Sequence, residues 1–165
     1  MRRALRDRGF TLIELLIVVA IIGLIVAIVI VNLINAIERA RQRRTMGDMR
    51  SMAVAIEAFS TDRNQYPPAA GYTLPSGLLL PTKTLGVAGS YLVPTYIKVL
   101  PMVDGWNSWF TYAVSSSGNE YLIRSCGRDG IPESSPPFGP TTNFNADIFF
   151  SNGIFVQYPE GIQEQ

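Results

Sequence analysis

The chain has 165 residues, 47% of them hydrophobic, with 14 basic and 13 acidic side chains and a net charge of +1. That length leaves room for one small domain beside any membrane helix, and that balance sets up no strong field for nucleic acid. Histidine is absent, Cys126 is the lone cysteine and no phosphate-cradling glycine motif appears, so a His general base, an internal disulfide, a Cys-His pair and ATP binding by this chain are excluded and hydrolase chemistry is disfavoured.

Residues 1–9, MRRALRDRG, carry Arg2, Arg3, Arg6 and Arg8 against Asp7, which favours holding this end on the cytoplasmic side of a membrane. Residues 10–31 follow as an apolar segment, and every residue of 15–31 is apolar. As a helix this segment would be about 33 Å long, enough to span a bilayer. Residues 38–44 place Arg39, Arg41, Arg43 and Arg44 against Glu38, so the far side has the same charge excess and charge alone does not set the orientation. A secretory signal is cut behind its apolar region, at small residues. Here the small residue, Gly9, lies in front, and cleavage after it keeps the helix.

Glu14 is the acid within this segment. A carboxylate near the centre of a membrane helix costs roughly 2.5 to 3.5 kcal/mol and calls for a partner, the bland alternative being an acid that snorkels to the membrane edge.

The run Gly9-Phe10-Thr11-Leu12, followed by Glu14 and Gly23, resembles the prepilin signature of type IV pilins and type II secretion pseudopilins. The resemblance implies that a membrane aspartyl peptidase cuts between Gly9 and Phe10 and methylates the new amine of Phe10. It also implies that Glu14 pairs with the N-terminal amine of a neighbouring subunit during filament assembly. The attraction is far stronger in a low-dielectric interior than in water, and an unpaired subunit is penalised. Members of the family commonly have proline where this chain has Val31, before Asn32. Without proline a more continuous helix is expected, with Gly23 as its remaining weak point.

Met49, Met52, Ala53, Ile56 and Phe59 form a helical stripe interleaved with charged residues, an amphipathic continuation of the same helix that packs on a head domain. Tyr66-Pro67-Pro68 stops it, so the helix is expected over residues 10 to about 63. The arginines of 38–44 lack interleaved aromatics, which favours a solvated collar with a juxtamembrane or subunit–subunit ion-pair role. Residues 67–100, rich in Pro, Gly, Ser and Thr, read as a long structured loop with a short helical turn. WFTYAV and EYLIRS (residues 109–114 and 120–125) read as paired strands, and residues 147–158 as a further hairpin. Cys126 is expected as a small buried hydrophobe, with an intersubunit bridge as the alternative.

The expected fold class is α+β: a long N-terminal α-helix, half transmembrane and half amphipathic, packed against a small antiparallel β-sheet head. The domains are a cleaved leader over 1–9, a membrane and filament-core helix over 10–31, and a periplasmic or extracellular head over 32–165. Without the leader, ten basic and twelve acidic side chains remain.

Three further segments narrow the resemblance to the major pseudopilin of type II secretion. DMRSMAVAIEAFSTDRNQYPP (48–68) is similar to its helix end, LPMVDGWNSWFTY (100–112) to its tryptophan-glycine motif, with Gly105 replacing the usual proline, and YLIRSCGRDG (121–130) with NADI (145–148) to the ends of its calcium loop. The resemblance implies a calcium site at Asp129 and Asp147, with Ser125 and carbonyls near Cys126 as weaker candidates. Hard cations take carboxylates and carbonyls of this kind. The other reading of these aspartates is an Asp-Gly turn and a cap. Residues 131–146 differ from the short glycine-rich loop typical of the family.

By resemblance the chain is a subunit, and no enzyme, that polymerises with copies of itself into a pseudopilus for protein export across the outer membrane. The implied partners are the prepilin peptidase, an inner-membrane assembly platform, an assembly ATPase, minor pilins or pseudopilins, and the membrane itself before assembly; nucleic acid is not expected. The implied location is the bacterial inner membrane, single-pass, with the head in the periplasm. A type IV pilus pilin and a single-span anchored binding module are the alternatives. The first lacks here the C-terminal disulfide loop common in such pilins, and the second predicts tolerance of Glu14→Ala.

Overall fold

The computed structural model describes residues 9–69, 83–115, 117–134 and 136–164. The chain divides into two compact units, Met1–Ile37 and Glu38–Gln165. Of the expected leader over 1–9, residues 1–8 lie outside the described residues.

Helix α1, Leu12–Arg63, contributes to both units and continues through Val31, as the missing proline implies. In the first unit its apolar side chains are exposed, from Leu12 at 88% to Ile37 at 44%. This segment is long and apolar enough to cross a membrane, and none of its apolar window is buried among the described residues.

In the second unit α1 buries Glu38, Gln42, Thr45, Met49, Met52, Ile56 and Phe59. The spacing alternates four and three residues, one continuous inward stripe. The apolar part of that stripe is legible in the sequence. Its first three positions are polar and escape a search for hydrophobic periodicity. Asn64 ends the helix with φ at 57°, a left-handed position that asparagine tolerates, and its N–H donates to the Ser60 carbonyl at 2.8 Å.

The connection to the sheet contains strand β1, Lys83–Thr84, and helix α2, Gly86–Leu92, which buries Ala88 and Leu92. The short helical element expected in this stretch is α2; residues 70–82 lie outside the described residues. Strands β2 (Thr111–Val114), β3 (Tyr121–Ser125), β4 (Gly139–Asn143), β5 (Ile148–Ser151) and β6 (Ile154–Glu164) complete a six-stranded sheet in the order β1-β2-β3-β5-β6-β4. Four pairings are antiparallel, and β4 runs parallel to β6 at the edge. Strand β4 has the composition of a loop, GPTTN, and its proline is tolerated because an edge strand leaves one side of its backbone unpaired.

The core lies between α1 and the sheet. Met49, Met52 and Ile56 meet Tyr112, Tyr121, Ile123, Ile148 and Phe150, all at most 4% exposed. Burying each such side chain contributes about 1.5 to 3 kcal/mol. Tyr112 donates its hydroxyl to the Pro67 carbonyl at 2.9 Å, so the proline stop after α1 is fastened to the sheet. Cys126 is buried, as expected for a small hydrophobe, and burial pushes its thiol up to about 11.

Candidate functional site

At the start of α1, the Thr11 N–H and hydroxyl both donate to Glu14 Oε2, at 2.9 and 2.7 Å, while the Glu14 N–H donates to Thr11 Oγ1 at 3.3 Å. This is a reciprocal capping box: serine or threonine at the cap, glutamate three residues on, each satisfying the other's orphan backbone donor. Glu14 therefore has a partner within its own chain. The Thr-x-x-Glu spacing is the signal that would have revealed it.

The head is tied to its helix through a polar seam. Glu38, 7% exposed, accepts the indole N–H of Trp106 and pairs with Arg41 at 3.0 Å. The collar is thus partly inward: its acid is buried, while all four arginines remain exposed. Two residues earlier Asp104, 2% exposed, accepts the Trp106 and Ser108 N–H groups on Oδ1 at 2.9 Å each and the Ser125 hydroxyl on Oδ2. Gly105 lies so close to α1 that a Cβ would overlap the Arg41 carbonyl, and its N–H donates to Thr45 Oγ1 at 2.9 Å. The residue that replaces the usual proline thereby supplies a hydrogen bond that proline lacks. Between Glu38 and Thr45 on α1, Gln42 donates to Gln163 Oε1 at 3.1 Å.

The two halves of the candidate calcium loop meet through their backbones. Gly127, at φ 62°, has room for no side chain, since a Cβ would come within 2.7 Å of the Asn145 and Ala146 carbonyl oxygens. The Arg128 N–H donates to the Phe144 carbonyl at 2.9 Å, and its guanidinium Nε donates to Asn145 Oδ1 at 2.9 Å. Beside this junction opens a cavity of about 560 Å³ lined by Asp129, Glu133, Ser134, Asn143 and Asn145, among others.

The three residues singled out from the sequence have different environments. Asp129 is exposed and accepts the Ile131 N–H on Oδ1 at 2.9 Å, the Asp-Gly turn geometry. Ser125 is spent on Asp104. Asp147 is fully buried; its Oδ2 accepts the Glu133 N–H at 3.0 Å and faces Arg124 Nε at 3.9 Å, whereas its Oδ1 has no hydrogen-bond partner. Burial pushes the Asp147 carboxyl up to about 6, and the negative charges of Glu133 and Asp129 add to the rise. An orphaned buried carboxylate oxygen among like charges fits a bound cation. Among the described residues no cluster of three or more acidic, cysteine or histidine side chains is gathered for a metal, so carbonyl oxygens would complete the shell.

Gln157 and Glu133 were not found from the sequence. Gln157, fully buried, donates to Glu133 Oε2 and to the Asp147 carbonyl at 2.9 Å each and accepts the Phe138 N–H at 3.2 Å, which ties Glu133 and Phe138 to β6. The clue was an isolated glutamine in the otherwise apolar and aromatic run IFVQY.

The family model for the prokaryotic N-terminal methylation motif matches residues 5–30, and that for type II secretion system protein G matches residues 32–138. Proteins described as type II secretion system core protein G are similar over most of the chain. That of Klebsiella pneumoniae is 30% identical over 83% of this chain and 96% of its own length. Those of Escherichia coli K12 and Vibrio cholerae are 32% and 29% identical, covering 79% and 90% of this chain and 88% and 99% of their own lengths. No solved structure gives a significant match.

Proposed function

The chain belongs to the type II secretion system protein G family, and from that membership we infer that it is the major pseudopilin, the structural subunit of the secretion pseudopilus. The observation that carries the reading is an uncovered apolar helix, bearing the methylation motif, joined to a head of protein G type. The family is structural and is not known as an enzyme. The same match favours the pseudopilus over a surface pilus.

In this reading the chain waits in the bacterial inner membrane as a single span with its head in the periplasm. The prepilin peptidase cuts between Gly9 and Phe10, and the Phe10 amine is methylated. An inner-membrane platform and an ATPase drive polymerisation of copies of the chain, with minor pseudopilins among the other components. The exposed side chains of residues 10–37 then exchange lipid for neighbouring helices, an association that draws on close packing and on satisfying the buried acid. Glu14 and the Phe10 amine set the register between subunits. The capping box supports this role, because it holds the carboxylate at the first turn of the helix, next to the new N-terminus.

Calcium belongs to the same reading. Asp147 and Asp129 would hold it with carbonyl oxygens near Cys126; the support is the orphaned Asp147 Oδ1. Bound there, it would neutralise the buried carboxylate and brace the 126–147 segment.

The test is expression of the full chain with a type II assembly apparatus. N-terminal sequencing should begin at Phe10, and sheared fractions should contain filaments built of this chain. An uncleaved membrane monomer would contradict the reading and favour a simple anchored module.

A further inference from the structure

The arginines that follow the apolar segment are not equivalent. Arg41 pairs with Glu38 at 3.0 Å and Arg44 with Asp48 at 3.6 Å. Arg39 and Arg43 are exposed and, among the described residues, make neither an ion pair nor a hydrogen bond. Four residues apart on α1, they share one face. The acid that would have balanced them, Glu38, is turned inward onto Trp106. A face of two unpaired cations results, two residues beyond Ile37, the last exposed apolar side chain of the first unit.

We propose that Arg39 and Arg43 dock on anionic phospholipid headgroups of the leaflet beside the head while the subunit is stored in the membrane. Two arguments favour lipid over a protein partner. The first is charge: guanidinium groups bind phosphate oxygens as bidentate donors and are less strongly hydrated than ammonium. The second is position. Arg39 lies 29 residues after Phe10. At about 1.5 Å per residue a helix of that length covers roughly 44 Å, the thickness of a bilayer including its headgroups. Arg39 thus falls where the headgroups of the far leaflet lie, and Arg43 starts one turn, about 6 Å, farther out, with a long side chain that leans back toward the helix N-terminus and so toward the same headgroups. Withdrawing the subunit into a filament would have to break these contacts, so the pair holds the stored subunit at its working depth.

The inference rests on the membrane-stored state proposed above, and one experiment separates the two. The full-length chain is reconstituted into vesicles of phosphatidylethanolamine with phosphatidylglycerol, checked by flotation, and its retained lipids are counted by native mass spectrometry. Wild type should float and retain phosphatidylglycerol above its bulk share. Each arginine near an anionic surface is worth a preference of about fivefold, so Arg39→Gln with Arg43→Gln should lose roughly 25-fold, while the exposed Arg63→Gln leaves it unchanged. Failure to float would overturn the membrane-stored state itself. Flotation with no phosphatidylglycerol preference, or one equal in the double variant, overturns the lipid contact alone. Loss of cross-linked dimers in the double variant without a change in lipid would assign the pair to a second copy instead, and would equally overturn it.

Discussion

The Trp106 indole N–H donates to Glu38 Oε2, across 68 positions of sequence, and this bond joins the tryptophan turn to the first inward position of the head's helix. Glu38 is the start of the four-and-three stripe that continues to Phe59. Removing the carboxylate leaves a half-buried indole donor unpaired. Glu38→Ala is expected to destabilise the head by about 1 to 3 kcal/mol, read as a lower denaturant midpoint. Glu38→Gln, which keeps an acceptor, should cost less.

Gly105 is the tightest approach between the same turn and α1. Gly105→Ala places a Cβ on the Arg41 carbonyl, which is helix backbone and does not yield as a side chain would. The expected loss is about 2 to 4 kcal/mol by thermal or chemical denaturation. Gly105→Pro should be at least as damaging, since it also deletes the N–H donated to Thr45. A wild-type midpoint for Gly105→Ala would contradict this packing.

Asp147 supplies a test whose outcome differs with and without metal. Its carboxylate is buried, one oxygen is orphaned, and Arg124 stands at 3.9 Å. Metal-free, Asp147→Asn relieves one buried charge but leaves that of Arg124 less well balanced, so the melting temperature should change little. With calcium, wild type should gain several degrees and the variant should not. A wild type indifferent to calcium and to chelator would remove the metal from the account.

Tyr121 donates its hydroxyl to Glu57 Oε1 at 2.9 Å, and burial, followed by that carboxylate, raises its phenol well above the usual tyrosine value of 10.0. A group raised on folding contributes stability that is fully present below its unfolded value and is lost as pH rises past it. Stability should therefore be flat through neutral pH and fall above about pH 10. Glu57→Gln should weaken that dependence. Tyrosine absorbance should show Tyr121 ionising only as the chain unfolds.

Much of this architecture is written in the sequence, and the gaps have physical causes. The apolar run, the stripe from Met49 to Phe59, the strands at 111–114, 121–125 and 148–151 and the first part of β6, to residue 158, follow from periodicity; its continuation over 159–164 does not, since Pro159 and Gly161 break the pattern. The inward positions Glu38, Gln42 and Thr45 do not, because burial there rests on tertiary hydrogen bonds. Strand β4 carries loop composition and is held to β6 by parallel backbone pairing and by the Thr141 hydroxyl, which donates to the Tyr158 carbonyl. At the candidate sites, Asp129 and Asp147 are legible as carboxylates, but not the exposure of Asp129, nor the hydrogen bonds of Gln157 to Glu133 and Phe138. At Glu14 the Thr-x-x-Glu spacing makes the capping partner Thr11 legible as well.

The central claim is that Glu14 acts in assembly between subunits. Wild type and Glu14→Ala should be expressed with the assembly machinery, scoring leader removal by N-terminal sequencing and filaments by shearing and electron microscopy. Both should begin at Phe10, and only wild type should form filaments. Equal filament yield from the Glu14→Ala chain would contradict it.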